Sequence, residues 1–332
     1  MALSYAEMLA DILQILQDTG AATWASAETT IGIRQALREF SRYSPHRACE
    51  IFQVESRTGQ ASSTSASHLV DGTKAQFLST DTGKYVYNST DKTWAVITAY
   101  TSSSDVTLSK DIMASGESYE IYNAGCYNAR QVNISSVTDR LWVRKLEFPL
   151  GTRRNTDSID DDILTIGLDN APNDTSETDA DKDVYIWFDK VHKLSQLTDF
   201  AGAVNNAGGY SAGATSMAVN GLQASGTIED GQEFTVASTR GTYRVTSAAT
   251  ITTAAATITF TPGLESDVAH TAVITFKKST IPVSLEPAFA NYAAGKTAIN
   301  KSMHLILQAN TAITTLSTAS TSIALLTARV AQ

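Results

Sequence analysis

The sequence predicts an α+β fold in which a discontinuous helical core with a few strands and a long C-terminal helix is interrupted by two small all-β, sandwich-like or barrel-like modules. Two observations carry this. Apolar residues recur at helical spacing at both ends of the chain, and two internal stretches break into short strand-like runs divided by Asp, Gly and Ser turns. A third observation, that these two stretches align with each other, makes the modules an internal repeat.

Taken in order, Leu9, Ile12, Leu13 and Leu16 form one apolar stripe with acids opposite, which predicts a first amphipathic helix. After Gly20 a second stripe runs through Ile33, Leu37, Phe40 and Tyr43, with Ser26 as its cap and Ser44-Pro45 as its stop. Residues 51–56 alternate as a strand, and the Gly/Ser/Thr stretch 57–67 leads into the first module. That module, assigned to 57–123, has its strand-like runs at 76–78, 84–87, 94–98, 106–108 and 119–122. The second is assigned to 205–276. The two are superposed by setting Asp81-Thr82-Gly83-Lys84-Tyr85-Val86 on Glu229-Asp230-Gly231-Gln232-Glu233-Phe234, and 94–99 on 243–248. Residues 105–108 then fall on 257–260, and 119–121 on 273–275. Between the modules, 140–149 (RLWVRKLEFP), 163–168 (ILTIGL) and 183–188 (DVYIWF) read as strands around an acidic stretch. The core is therefore assigned to 1–56, 124–204 and 277–332. In its last part Leu285, Tyr292, Ile299, Ile306 and Ile313 follow at intervals of seven, and Leu316, Ala319, Ile323, Leu326 and Val330 form a second phase. Ser, Thr and Ala flank these positions, so packing against other protein is expected of this helix, as one rod or as two broken near Asn310-Thr311.

Composition narrows the function. With 25 Lys and Arg against 34 Asp and Glu, a net charge of −9 argues against a protein whose main task is wrapping phosphate backbones. No run approaches a membrane span, and the acidic N-terminal stretch does not read as a signal peptide. Cys49 and Cys126 are too few for a disulfide framework, and both are expected reduced and inert. Residues 290–297 (ANYAAGKT) have relaxed nucleotide-loop spacing, but Leu285, Tyr292 and Ile299 run straight through it as a helix. Asp179, Asp181 and Asp183 start like a calcium loop, yet Val184 stands where a turn glycine belongs and Lys190 where a bidentate acid belongs. The five histidines, His46, His68, His192, His270 and His304, share no ligand spacing, and no GxSxG elbow is present. No catalytic, metal or cofactor residue is assigned, and no enzyme is expected. Trp94, Tyr85, Tyr87 and Tyr119 are read as core in preference to a recognition face.

Four segments together resemble the head-to-tail adaptor, or connector, proteins of tailed bacteriophages: ALREFSRYSP (36–45), VTLSKDIMASGESYEIYN (106–123), VTDRLWVRKLEFPLG (137–151) with ILTIGL, and VYIWFDKVHKL (184–194). The resemblance implies a helical core interrupted by β insertions, and a virion structural protein of the neck, made in the host bacterial cytoplasm. It implies a ring of about a dozen copies that joins portal to tail and extends the DNA channel. Its partners would be itself, the portal protein, and a tail or nozzle protein or fibres, with DNA passing unbound and no membrane involved. Portal docking would map onto Leu316, Ala319, Ile323, Leu326 and Val330, and subunit or core packing onto Leu285, Tyr292, Ile299, Ile306 and Ile313. Asp160, Asp161 and Asp162 are candidates for a negative channel wall that repels DNA. A fibre-anchoring ring, or a protein that recognises glycans through its β modules, is the alternative.

Overall fold

The computed structural model describes residues 2–21, 23–168, 172 and 182–330, with side chains after 309 described only at 311. It corrects the fold class. The chain is mostly β, with three six-stranded sheets, one of them a closed barrel, and helix accounts for only 21%. The expected helical core is in fact three helices, because the strands between the modules build a sheet with an interior of its own. By contacts the chain divides into two compact units, residues 1–46 with 191–332, and residues 47–190.

In the first unit, α1 (Tyr5–Ile15) starts at Ser4, whose hydroxyl accepts from the Glu7 N–H while Glu7 accepts from the Ser4 N–H at 2.7 Å. This reciprocal pair satisfies two amides that a helix start leaves bare. Next comes α2 (Ser26–Tyr43), in which Ser26 lies inside the helix and gives no side-chain cap. Asp18 instead accepts the Thr23 and Trp24 amides just ahead of it. Tyr43, expected on the buried stripe, is 86% exposed. The last helix, α3 (Glu286–Val330), is one continuous rod of 45 residues. Its first turns, through Phe289, Ala290, Ala293 and Ala294, share a core with Met8, Ile12, Ile33 and Ala36.

Small residues set how closely α2 and α3 approach. A methyl added at Gly32 would stand 2.0 Å from the Thr297 hydroxyl. Gly-to-Ala in a helix interior ordinarily gains up to about 1 kcal/mol. Here Gly32→Ala is expected to lower stability by about 1–3 kcal/mol through overpacking, and Thr297→Ala should recover part of it. Urea unfolding of the two variants and their combination measures both effects.

The same unit carries a closed barrel of β13 (Ala201–Val204), β14 (Ser216–Asn220), β19 (Ala256–Thr261), β17 (Tyr243–Val245), β16 (Glu233–Val236) and β20 (Val273–Phe276), in that order round the barrel. A two-stranded ribbon, β15 (Ser225–Ile228) with β18 (Ala249–Thr252), adjoins it in sequence. Phe234, Tyr243, Phe260 and Phe276 pack in its centre.

In the second unit, β2 (Thr58–Gln60), β7 (Ser118–Tyr122), β4 (Tyr85–Asn88), β5 (Thr93–Ser102), β6 (Asp105–Leu108) and β3 (His68–Val70) form an open sheet in that order. This is the strand order of the closed barrel, β13-β20-β16-β17-β19-β14, element for element. The equivalence reaches single hydrogen bonds. The Gly83 N–H donates to Ile97 and the Gly231 N–H to Val245, both at 2.8 Å, and the Ile97 and Val245 amides donate back to Lys84 and Gln232. Each glycine has positive φ, as the turn after an acid requires. Leu69, Val86, Ile97, Val106 and Leu108 occupy the buried places of Met217, Phe234, Val245, Ile258 and Phe260. The internal repeat is thus present in the fold. Its last strand is shifted one residue from the sequence alignment, since Tyr119 takes the place of buried Ile274 and not of Val273, which is 52% exposed.

The remaining sheet of this unit has the order β1 (His46–Gln53), β12 (Asp183–Lys190), β9 (Arg140–Glu147), β10 (Arg153–Asp160), β11 (Ile163–Gly167) and β8 (Gln131–Asn133). One face buries Val54, Val132, Leu146, Leu164, Ile166, Val184, Ile186 and Phe188. The open barrel is rooted by four buried or half-buried charges. Arg57 bonds Glu55 at 2.8 Å and Asp81 at 2.6 Å, and Lys84 reaches Glu55 at 2.5 Å and Asp81 at 3.0 Å. The closed barrel is held at the equivalent turn, where Lys193 bonds the Asp230 carbonyl, and Glu233 meets His46 at 3.1 Å and Lys277 at 2.7 Å.

Burial alone would raise the Glu55 carboxyl, but bonds from Arg57 and Lys84 outweigh it and hold it at about 2, against an ordinary 4.5. A depressed carboxyl contributes stability that is complete above its unfolded value and is lost as pH falls toward the folded one. Stability is therefore expected to drop between about pH 5 and 2, with on the order of 3 kcal/mol at stake for Glu55. The pH dependence of the urea midpoint tests this, and Glu55→Gln should flatten it by close to one proton. An unchanged slope would remove Glu55 from the account.

Candidate assembly surface

The feature with most functional content is the part of α3 that leaves its own core. Up to Lys301 the helix stays on α2, with Asn300 bonded to Gln35 and Lys301 to both oxygens of Glu28. From Ile299 to Leu307 its large apolar side chains are more than half open to solvent. Ile299 is 57% exposed, Met303 59%, Leu305 52%, Ile306 60% and Leu307 63%. Ile299, Met303, Ile306 and Leu307 follow at i, i+4, i+7 and i+8 on one face, while Leu305 points to another. A helix apolar on several faces is stable in water only when buried.

The proposed packing series therefore divides. Leu285 and Tyr292 lie against the helical core, Ile299 and Ile306 are open to solvent, and the side chain of Ile313 lies outside the described residues. So do those of Leu316, Ala319, Ile323, Leu326 and Val330, although the helical backbone runs through all five.

The three acids are not equivalent. Asp160 and Asp161 are exposed at the β10–β11 turn, whereas Asp162 is tied to Arg140. Their charge is thus partly neutralised within the chain.

Other motifs resolve to local roles. Lys296 pairs with Glu39 and Thr297 donates to the Ala293 carbonyl, so residues 290–297 are helix interior, with no loop of free amides. Asp179 and Asp181 fall outside the described residues, and Asp183 accepts from Gln53 at 3.0 Å. His192 lies between the Ser44 carbonyl and the Thr280 hydroxyl, and burial lowers it below the ordinary histidine range. His68 pairs with Asp105 at 2.8 Å. Among the described residues no group of three His, Cys, Asp or Glu is placed to hold a metal. Burial pushes the Cys126 thiol up to about 12, while Cys49 is exposed.

The aromatic expectation holds for three residues of the four. Tyr119 lies in the core of the open sheet, and Tyr87 and Trp94 are half-buried against a second small core of Tyr122, Cys126 and Ala129, with their ring centroids 4.4 Å apart, while Tyr85 stands edge-on to exposed Tyr127. Sequence reasoning also passed over Met303, Leu305 and Leu307, which lie off the seven-residue period, and a cationic face on β1, β9 and β12 described below. No family model, no curated protein and no solved structure matches the chain.

Proposed function

We propose that the chain is a structural protein of a tailed-bacteriophage virion, a head-to-tail adaptor that assembles with copies of itself into a ring between portal and tail and extends the DNA channel. The observation that carries this reading is the distal part of α3. A chain that holds five large apolar side chains open on a projecting helix is completed by other subunits. A ring offers such completion repeatedly, because every copy both gives and receives a contact.

The segments that resemble adaptors support the same reading by their placement. Residues 36–45 finish α2 and pass into β1, 137–151 supply β9, and 184–194 supply β12 and the return toward the helices. The partners are then the neighbouring copies, the portal through the C-terminal end of α3, and a tail component. The β barrels are additions to that frame. No chemical step belongs to this reading.

Electron microscopy of particles from a phage with a stop codon at position 24 tests it. Full-size heads without DNA or tails are expected. Normal tailed particles that lack only fibres or infectivity would overturn it.

A further inference from the structure

The central sheet of residues 47–190 has a second face, opposite its apolar core. Directly opposed residues of antiparallel strands share a face. On this face Tyr185 opposes Glu147, Trp187 opposes Lys145, Asp189 opposes Trp142, and Arg153 stands beside Glu147.

Asp189 organises one end of it. Its side chain is 2% exposed. It accepts from the Trp142 indole N–H at 2.7 Å, the Arg144 guanidinium lies 3.5 Å away, and Arg47 on β1 approaches Oδ1 at 3.7 Å. That Oδ1 is buried and receives no hydrogen bond from the described residues. The carboxylate thus gathers two guanidinium groups and an indole while their outer surfaces stay in solvent: Arg47 is 62% exposed, Arg144 49% and Trp142 47%. Further along, the Lys145 ammonium lies 4.4 Å over the Trp187 ring and Arg153 is exposed.

Two of the acids on this face are covered, since Glu147 is 10% exposed and paired with Lys145, and Asp183, at the far end of β12, is half-buried against Gln53; Asp157, further along β10 from Arg153, is exposed at the margin. In a chain of net charge −9, this surface offers solvent cations interleaved with aromatic rings.

We propose that this face binds nucleic acid without sequence preference, with phosphates at Arg47, Arg144, Lys145 and Arg153 and a base stacked on Trp142. Guanidinium groups suit phosphate because they are planar and weakly hydrated. A cationic surface with aromatic platforms is the arrangement that holds single strands, whose every base has a stackable face. From Trp142 to Glu147, the strand neighbour of Arg153, is about 17 Å of strand, enough for several nucleotides. The inference stands on the isolated chain and does not need the adaptor reading.

The test is fluorescence anisotropy of a labelled single-stranded oligothymidylate titrated with the full-length chain. Saturable binding is expected at low salt. With four phosphate contacts, affinity should fall on the order of 50-fold between about 50 and 200 mM salt. Arg47→Gln with Arg144→Gln keeps neutral donors for Asp189 and should reduce the salt slope by about 1.4. Arg153→Glu leaves the Asp189 cluster untouched and should weaken binding at least ~10-fold, with an unchanged melting temperature. Absence of saturable binding at low salt, or affinity indifferent to both variants, would overturn the proposal. So would glutamine variants that alter self-association in sedimentation while the oligonucleotide stays unbound, which would make the face a protein interface.

Discussion

Replacing Ile299 and Ile306 together by Asp is expected to abolish assembly of the chain with its partners and leave its fold intact. Both side chains are more than half exposed in the single chain. Neither belongs to the helical core, and Asp in an exposed helix costs less than about 1 kcal/mol per site relative to Ala. In an assembly the balance reverses. Burying an isoleucine is worth about 1.5–3 kcal/mol, and an unpaired carboxylate forced into the same place adds a further penalty. Two sites together give at least about 3–6 kcal/mol per interface, on the order of a hundredfold to ten-thousandfold in affinity, and a closed ring repeats that loss at every contact. Sedimentation of neck complexes from phage carrying the double variant, beside thermal melting of the purified chain, measures both sides. A variant that melts early would place these residues in the fold. Normal tailed particles with an unchanged melting point would remove the helix from assembly.

Arg57→Met is expected to cost about 3–5 kcal/mol, the largest stability loss from one substitution in residues 47–190. The reason is what remains. Arg57 gives Asp81 two bonds and Glu55 two, and also donates to the Gln76 carbonyl. Without it two buried carboxylates share Lys84 as their countercharge, beside backbone amides at Ser56 and Leu78. The triple variant Glu55→Gln, Arg57→Met, Asp81→Asn removes the charges together and should lose markedly less, because no uncompensated ion is left inside. Urea unfolding of both variants decides. A loss below about 1 kcal/mol for the single variant would mean that water reaches the cluster. The cluster joins the β1–β2 connection to the turn before β4, so its loss should also free the open barrel to move against the sheet on which it is rooted.

Much of this architecture was legible from residue order. Leu9, Ile12 and Leu13, then Ile33, Leu37 and Phe40, marked α1 and α2 because only a helix places such spacings on one face. The acid-Gly turns at Asp81 and Glu229 revealed the repeat, since each must reverse the chain between strands whose inward residues alternate. The fold class was not legible. β10 reads RRNTDSID, a polar run with no apolar alternation, and β8 has only three residues. Both are strands because neighbours pair with them, a tertiary cause that local propensity does not contain. Without them the central region looked like a few strands attached to helices. The candidate surfaces were half visible. A period of seven singled out Ile299 and Ile306, and the structure leaves both open to solvent within the chain. Arg140, Trp142 and Arg144 alternate as one face of a strand should, yet Asp189, which gathers Trp142 and Arg144, lies 45 or more residues away, and a register shift between Trp187 and Phe188 decides the meeting. The one-residue slip at Tyr119 has the same origin, because loop lengths between β6 and β7 and between β19 and β20 differ while the ladder sets the register.

Cryo-electron microscopy of the neck of the tailed particle tests the central claim most directly. The account predicts a ring between head vertex and tail in which each subunit shows one closed six-stranded barrel, one open six-stranded sheet of the same strand order, and an α3 whose residues 299–309 are enclosed by neighbouring protein. A neck reconstructed without this chain, or a chain found in the neck with that helix segment still bare in solvent, would contradict it.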